Sequence, residues 1–257
     1  MRSLRKGNGK GGLFVLPFLL LSLAGCHFTT FPDPNDPNSG VDLQPEVLRR
    51  QVKGASDALY ARVLSGEITE SRYRELLTQY TDELLKTTDI EGIDPAHAWE
   101  YADVFRTAQQ WKPAEALYRA AVKAAKDDDR RVNDTLKLAE AVAHLDRVPE
   151  AIETARKTFD APPQFKAPIL YGVLYEIAPA ARGKKHDAEV ARLLEDAIRQ
   201  SDLTEVDVNS EAGRAFLTAL PHHQRNARQL AATLYLNAGK PDDAERVLGG
   251  KLPTVRI

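Results

Sequence analysis

The sequence predicts an all-α protein built from helical hairpins. From Glu46 onward, apolar residues recur every three or four positions, as they do on the buried face of a helix. No stretch alternates apolar and polar residues for long enough to predict a strand. Breaks such as Ser65-Gly66 separate the periodic segments, which is typical of turns between paired helices. We therefore expect helices throughout and no β-sheet.

Residues 1–25 have the three zones of an export signal. The first zone is cationic and contains no acidic residue. Its basic residues are Arg2, Arg5, Lys6 and Lys10. Residues 13–23 are mostly apolar, and the small residues Ala24 and Gly25 follow. This apolar run is too short to cross a bilayer, which takes roughly 20 residues. We expect the segment to direct export and to be removed.

The segment Leu23-Ala24-Gly25-Cys26 resembles the lipobox of bacterial lipoproteins. In that family the cysteine thiol receives a diacylglycerol, the signal is cut just before the cysteine, and the new amino group is often acylated. Cys26 is the only cysteine in the chain, so it has no partner for an internal disulfide. The resemblance implies a mature protein that is anchored in a membrane through lipid on Cys26. The alternative is an ordinary cleaved signal followed by a chance cysteine.

Removal of the signal makes the protein more acidic. The 35 basic residues become 31 against 37 acidic residues, a net charge of −6. This balance argues against nucleic acid or an anionic lipid surface as a partner. The expected location is the bacterial cell envelope. His27 follows Cys26, whereas an aspartate there often retains Gram-negative lipoproteins at the inner membrane, so His27 favours the periplasmic face of the outer membrane.

Residues 26–45 predict a flexible tether between the lipid and the folded part. Prolines recur in this segment among short polar residues, and few apolar side chains are available for packing. Residues 46–91 predict an N-terminal helical hairpin. Its first helix ends at Ser65-Gly66, and Thr69 is the expected N-cap of the second helix.

Residues 95–257 carry a repeated packing pattern. Small residues recur where two helices of a pair would approach closely, and large residues follow at fixed offsets. The best example is Tyr101-Ala102, Phe105, Ala114, Tyr118 and Ala121. This pattern resembles the tetratricopeptide repeat, although Ala98 stands where that family commonly has tryptophan. The resemblance implies helical hairpins stacked as a short solenoid with a concave face. The alternative is an alanine-rich helical bundle with coincidental spacing.

The same spacing occurs in three places. In each, nine positions separate a first-helix residue from a second-helix alanine. The pairs are Phe105 and Ala114, Val142 and Ala151, and Tyr235 and Ala244. A fourth, more divergent unit is expected over residues 170–200. We also expect an additional helix over residues 211–220.

The repeat resemblance also implies a binding groove, because the first helix of each pair lines the concave face in that family. The positions that map to the groove are Trp99, Asp103, Arg106, Glu140, His144, Gln229, Thr233 and Asn237. Trp99 is the expected anchor, since aromatic side chains are typical of binding hot spots. The alternatives are a packing role for Trp99 and a plain solvated surface for the others.

The sequence contains no catalytic, metal-binding or cofactor motif that we recognise. The histidines are His27, His97, His144, His186, His222 and His223, and no two are spaced four apart as in helical zinc sites. Asp127-Asp128-Asp129 lacks the spaced ligands of a calcium loop and predicts a solvated loop between helices. We therefore expect no catalytic residue, no metal and no cofactor.

Two functions are consistent with these features. The first is a membrane-anchored envelope adaptor or scaffold, not an enzyme, which binds an unidentified protein partner through the groove. The second is an envelope hydrolase of cell-wall glycan that uses scattered carboxylates such as Glu176 or Glu205. Such hydrolysis needs two paired carboxylates in a cleft, and the sequence alone shows no such pair. A pocket with two buried acids would favour the enzyme.

Overall fold

A computed structural model describes residues 44–86 and 88–249. Every regular element in these ranges is helical, so the all-α prediction is confirmed. The signal, Cys26 and the tether up to residue 43 lie outside the described residues. The predicted end of the tether is wrong by one residue, because Pro45 begins the first helix. Proline is favourable there, since the first helical N–H has no partner within the helix.

The helices follow one another with short connections. They are α1 (Pro45–Leu64), α2 (Glu70–Leu84), α3 (Ala98–Thr107), α4 (Trp111–Ala124), α5 (Asp128–His144), α6 (Val148–Arg156), α7 (Ala167–Gly172), α8 (Ala178–Ala181), α9 (Asp187–Asp202), α10 (Glu211–Asn237) and α11 (Pro241–Leu248). Two 3₁₀ turns, Lys157–Asp160 and Pro163–Phe165, connect α6 to α7. A π-helical turn, Val173–Ile177, joins α7 to α8.

Helices that are neighbours in the chain pack against each other. The expected N-terminal hairpin is α1 on α2, and α1 also packs against α3. Beyond it, α3 packs on α4, α4 on α5, α5 on α6, α9 on α10, and α10 on α11. The segment from α7 to α8 contacts both α5 and α9. The hydroxyl of Thr69 accepts the N–H of Arg72 at 3.2 Å, so the predicted N-cap of α2 is confirmed.

Three helix pairs share the same turn. The pairs are α3–α4, α5–α6 and α10–α11, and the left-handed residue in their turns is Gln109, Asp146 or Gly239, with φ of 59°, 62° and 70°. In each turn, the next N–H reaches back to the first-helix residue of the nine-position spacing. These bonds are Gln110 to Phe105 at 2.8 Å, Arg147 to Val142 at 3.2 Å, and Lys240 to Tyr235 at 2.8 Å. The three pairs are therefore equivalent in backbone hydrogen bonding as well as in sequence.

The core positions of these pairs are buried. All six residues of the nine-position spacing are at most 3% exposed: Phe105, Val142, Tyr235, Ala114, Ala151 and Ala244. Alanine on the second helix brings the two backbones close together, and the larger first-helix residue fills the space beside it. This burial agrees with the packing logic of the sequence pattern. Membership of the tetratricopeptide family and stacking as a solenoid stay predictions.

Two local expectations are wrong. The additional helix over residues 211–220 is the first part of α10, which continues through Pro221 to Asn237. Proline cannot donate the usual hydrogen bond to the carbonyl of Leu217, one turn earlier in the helix. Asp127 is the N-cap of α5, not part of a solvated loop, and it accepts the N–H of Arg130 at 2.7 Å. Acidic residues are favourable there because they lie at the positive end of the helix dipole.

Candidate protein-binding face

Asp103 and Arg106 are brought together with Glu140, as the sequence predicts for one face. Asp103 and Arg106 lie on α3, and Glu140 lies on α5. Arg106 Nη1 is 3.4 Å from a Glu140 carboxylate oxygen, and Arg106 Nη2 is 3.7 Å from Glu176. Lys137 also joins the two helices. We call Asp103, Arg106, Lys137, Glu140 and Glu176 the Arg106 cluster.

Asp103 is the well-bonded end of this cluster. Lys137 Nζ donates to both of its carboxylate oxygens, at 2.8 and 3.0 Å. The hydroxyl of Tyr118, on α4, donates to the same carboxylate. Burial alone would raise the pKa of Asp103, but the charge and hydrogen bonds of Lys137, together with the Tyr118 bond, lower it below its ordinary value. Asp103 is thus held as a carboxylate.

Glu140 is the poorly bonded end. Its side chain is 9% exposed, and its Oε2 has no hydrogen-bond partner among the described residues. Burial, and the nearby carboxylates of Glu176 and Asp103, raise the pKa of Glu140 to about 7 against the pull of Arg106 and Lys137. Glu140 therefore changes charge near neutral pH.

Arg106 connects the two ends without forming a hydrogen bond. Its Nε lies 3.6 Å from Asp103 and has no hydrogen-bond partner among the described residues. Its contacts with Glu140 and Glu176 are ion pairs of 3.4 and 3.7 Å, which are too long for good hydrogen bonds. The Arg106 side chain is 28% exposed, so part of the guanidinium group faces solvent. Its bonding capacity is only partly used.

Glu176 reaches this cluster from the π-helical turn between α7 and α8. A π turn adds one residue to a helix and is frequent at functional sites. In the sequence, Glu176 stands as a scattered carboxylate with no partner that its spacing reveals. Glu205, the other carboxylate named with it, is exposed in the loop before α10 and takes no part in the cluster.

His144 lies at the end of α5, where its ring stacks on Trp111 of α4. The ring centroids are 3.7 Å apart and the planes are 6° from parallel. Burial first, and then the charges of Lys184 and Arg106, lower the pKa of His144 to about 4. His144 is therefore neutral at neutral pH. Trp111 was missed in the sequence because it stands at the start of a second helix, which the repeat resemblance does not place on the concave face.

Trp99, the expected anchor, is partly covered. The Arg130 guanidinium lies 3.6 Å from the centroid of its ring, and the ring packs against the core. Arg130 is held in turn by Asp134, through a hydrogen bond of 3.0 Å from Nε. Trp99 also lines one side of a cleft of about 970 Å³ between the start of α1 and residues 88–101. Trp99 is thus a packing residue whose indole ring has one accessible side.

Gln229, Thr233 and Asn237 are exposed along α10. Their spacing of four residues places them on one side of that helix. The Thr233 hydroxyl donates to the backbone carbonyl of Gln229 at 3.0 Å. Their contacts do not join them to the Arg106 cluster, so the structure brings together only the α3 and α5 members of the predicted groove.

Comparison with known protein families, with curated proteins and with solved structures found no match. Among residues 44–86 and 88–249, no helix has both the length and the apolar character needed to span a membrane. The same residues contain no group of three or more histidine, cysteine, aspartate or glutamate side chains arranged to hold a metal ion.

Proposed function

We propose that the protein is a lipid-anchored adaptor of the bacterial cell envelope that binds a protein partner at the Arg106 cluster. The observation that carries this proposal is the unused bonding capacity of Arg106 and Glu140 on a partly exposed face. A buried donor and a buried acceptor without hydrogen bonds are unusual in a folded protein and call for an explanation. A partner that completes these bonds supplies one.

The chemistry of the two open groups suits a polypeptide. Arg106 Nε needs an acceptor, and Glu140 Oε2 needs a donor when it is ionised. Each peptide unit offers one N–H donor and one carbonyl acceptor. Because Arg106 is held by ion pairs and not by hydrogen bonds, its side chain can turn toward a partner without breaking a hydrogen bond.

A binding test compares the face with a matched position elsewhere. Wild type, Arg106→Gln and Lys123→Gln are used to capture partners from an envelope extract, and the captured protein is then titrated. Lys123 is an exposed cation on the second helix α4, so it controls for loss of one positive charge. We expect Arg106→Gln to weaken binding by about tenfold or more, which is at least 1.4 kcal/mol, and Lys123→Gln to have no effect.

Circular dichroism must show that both variants keep the helix content of the wild type. Equal affinity of all three proteins for the captured partner would refute the proposed face. Because an Arg106 change can disturb packing, Glu176→Gln gives a milder second test. Its side chain is 22% exposed, and the substitution removes charge while keeping the shape of the side chain.

Anchoring is proposed on the sequence alone, because Cys26 lies outside the described residues. Cys26→Ser is expected to abolish incorporation of labelled fatty acid and to leave the signal uncut. Wild-type protein that takes up no label in a bacterial host would rule out the lipid anchor. Fractionation of the labelled wild type then tests the outer-membrane assignment suggested by His27.

The second candidate, a glycan hydrolase, gains one supporting observation. Glu140 has a pKa of about 7, which suits a general acid, and Glu176 is a second carboxylate in the same cluster. However, the Arg106 guanidinium forms ion pairs with both carboxylates, at 3.4 and 3.7 Å, whereas glycan hydrolysis needs two carboxylates that flank the scissile bond. Release of soluble sugar from purified cell wall by wild type, but not by Glu140→Gln, would favour the hydrolase over the adaptor.

A further inference from the structure

A second group of side chains lies where α7 and its π-helical turn meet α10. Tyr171 and Tyr175 are 53% and 40% exposed, and their ring centroids are 4.8 Å apart at an angle of 51°. The His223 ring stands edge-on to both rings, at 6.0 and 5.5 Å. Asn226 completes the group. We call Tyr171, Tyr175, His223 and Asn226 the tyrosine patch.

The patch is held in place by its own hydrogen bonds. The Tyr175 hydroxyl and His223 Nδ1 are 2.9 Å apart. Asn226 Nδ2 donates to the same hydroxyl at 3.2 Å and also lies 3.1 Å from His222 Nε2. The Tyr175 ring is therefore fixed by hydrogen bonds before any ligand binds, and the Tyr171 ring packs against it, which lowers the entropy cost of binding. A fixed position is not needed for core packing, because neither tyrosine belongs to the hydrophobic core.

The chemistry of the patch selects among ligand classes. None of its four residues is a lysine, arginine, aspartate or glutamate, so no strong ion pair with a ligand is available. The rings offer apolar faces whose electron density attracts C–H groups. At the edges, the Tyr171 hydroxyl and His223 Nε2 have no hydrogen-bond partner among the described residues. A neutral ligand with C–H faces and hydroxyl edges fits this arrangement.

We propose that the tyrosine patch is a binding site for neutral carbohydrate, in which a sugar ring stacks on the more exposed ring, Tyr171, while its hydroxyl or N-acetyl groups bond to His223 and Asn226. Sugar rings combine the two properties that the patch requires, an apolar face and a polar edge. The tyrosine patch is separate from the proposed protein-binding site, because it shares no residue with the Arg106 cluster. The two come nearest in sequence at Tyr175 and Glu176, which are adjacent.

The test uses the detergent-solubilised full chain and a defined probe, the β-1,4-linked tetramer of N-acetylglucosamine. Binding is measured by calorimetry for wild type, Tyr171→Ala and Tyr60→Ala. Tyr60 is 49% exposed on α1 and is the matched control, because it is an equally exposed tyrosine outside the patch. We expect wild type and Tyr60→Ala to bind equally and Tyr171→Ala to bind about tenfold more weakly or not at all.

Tyr175→Phe provides a second variant that keeps the ring but removes the hydroxyl held by His223. It is expected to bind more weakly than wild type because the platform is less fixed. No binding of the tetramer by wild type at millimolar concentration overturns the proposal. Binding of a proline-rich peptide in place of the sugar, with the same loss in Tyr171→Ala, would also overturn it and assign the patch to a peptide.

These outcomes are distinct from those of the adaptor test. Tyr171→Ala should retain capture of the protein partner, while Arg106→Gln should retain binding of the sugar. A single variant that abolished both with unchanged helix content would show that one ligand covers both features, contrary to the two separate sites proposed.

Discussion

Glu195 and Glu140 are both buried glutamates in contact with an arginine, but their bonding differs. Glu195, on α9, is 1% exposed in its side chain and accepts two bonds from Arg246, at 2.7 and 3.0 Å. It also accepts the Tyr235 hydroxyl at 2.6 Å. Glu140 lies 3.4 Å from Arg106 and has one oxygen without any hydrogen bond among the described residues.

The number of hydrogen bonds indicates which of the two glutamates only stabilises the fold and which can still bind a ligand. A carboxylate whose bonds are complete, as at Glu195, fixes the position of the helices that carry it and has little left to offer a ligand. The carboxylate at Glu140 fixes less and retains capacity for a proton or a partner. Burial of an ion pair is therefore a poor guide to function unless its hydrogen bonds are also examined.

Breaking the fully hydrogen-bonded ion pair of Glu195 and Arg246 should have the largest effect on stability. Arg246→Met leaves Glu195 buried without its charged partner, which typically costs about 3–5 kcal/mol. We expect the free energy of unfolding, measured by urea titration, to fall by that amount. Arg192→Met is the control, because Arg192 is an exposed arginine on the same helix as Glu195. A similar loss in both variants would mean that the Glu195 bonds contribute little.

Overpacking the contact between α3 and α4, near the Arg106 cluster, should have a smaller effect on stability. Ala114 is fully buried one helical turn before Tyr118, whose hydroxyl bonds to Asp103. Ala114→Trp should force α3 and α4 apart and cost about 1–3 kcal/mol. Ala116→Trp, at an exposed position of α4, should be close to neutral. Equal thermal midpoints for the two variants would contradict the close helix contact.

Glu140→Gln should change the pH dependence of stability. Glu140 has an ordinary pKa of 4.5 and a folded value of about 7, so its ionisation disfavours the folded state. The stability that wild type has at low pH is lost as the pH rises from about 4.5 to about 7. Glutamine cannot ionise, so the variant should gain about 2–3 kcal/mol relative to wild type between pH 5 and pH 8.

Urea titrations of both proteins across this pH range measure that difference directly. Glu195→Gln is the matched variant, because this substitution removes a charge whose hydrogen bonds are complete. It should lower stability at pH 8, where Glu140→Gln raises it. Parallel pH profiles for wild type and Glu140→Gln would show that Glu140 is ionised throughout and that Arg106 satisfies it.

The shared turn offers the smallest test. Gln109 adopts a left-handed conformation that Gly239 adopts in the last pair. Left-handed backbone disfavours residues with a Cβ, so Gln109→Gly should stabilise the protein by about 0.5 kcal/mol after the entropy cost of glycine. Gly239→Ala should destabilise it by a similar amount. A loss of stability in Gln109→Gly would show that the glutamine side chain makes contacts that outweigh the strain.

Periodicity was sufficient to predict the all-α class, because each helix needs one apolar face and the packing alanines recur at a fixed spacing. Phe105, Val142 and Tyr235 could be aligned from sequence because the same space between two helices constrains all three. The continuous α10 could not be predicted, since a proline within a helical pattern usually ends the helix, whereas α10 continues through Pro221.

The candidate face was predicted only in part. Asp103, Arg106 and Glu140 lie at helical spacings that place them on first helices, and those spacings were visible. Glu176 joins them through a π turn, which has no clear sequence signature. Tyr171 and Tyr175 are four residues apart in the divergent repeat unit. Nothing in the sequence distinguishes an exposed tyrosine from a buried one there. Only tertiary structure brings His223 to them.

The π-helical turn at Val173–Ile177 contains one extra residue, and the relative orientation of Tyr171 and Glu176 depends on it. Each residue turns an α-helix by about 100°, so deletion of a single residue here would rotate Tyr171 relative to Glu176 by that angle. Tyr171 of the tyrosine patch and Glu176 of the Arg106 cluster would then lose their present relative orientation. A one-residue insertion or deletion in a gene is thus enough to change how these two residues are oriented, while the core spacing of the other helix pairs stays as it is.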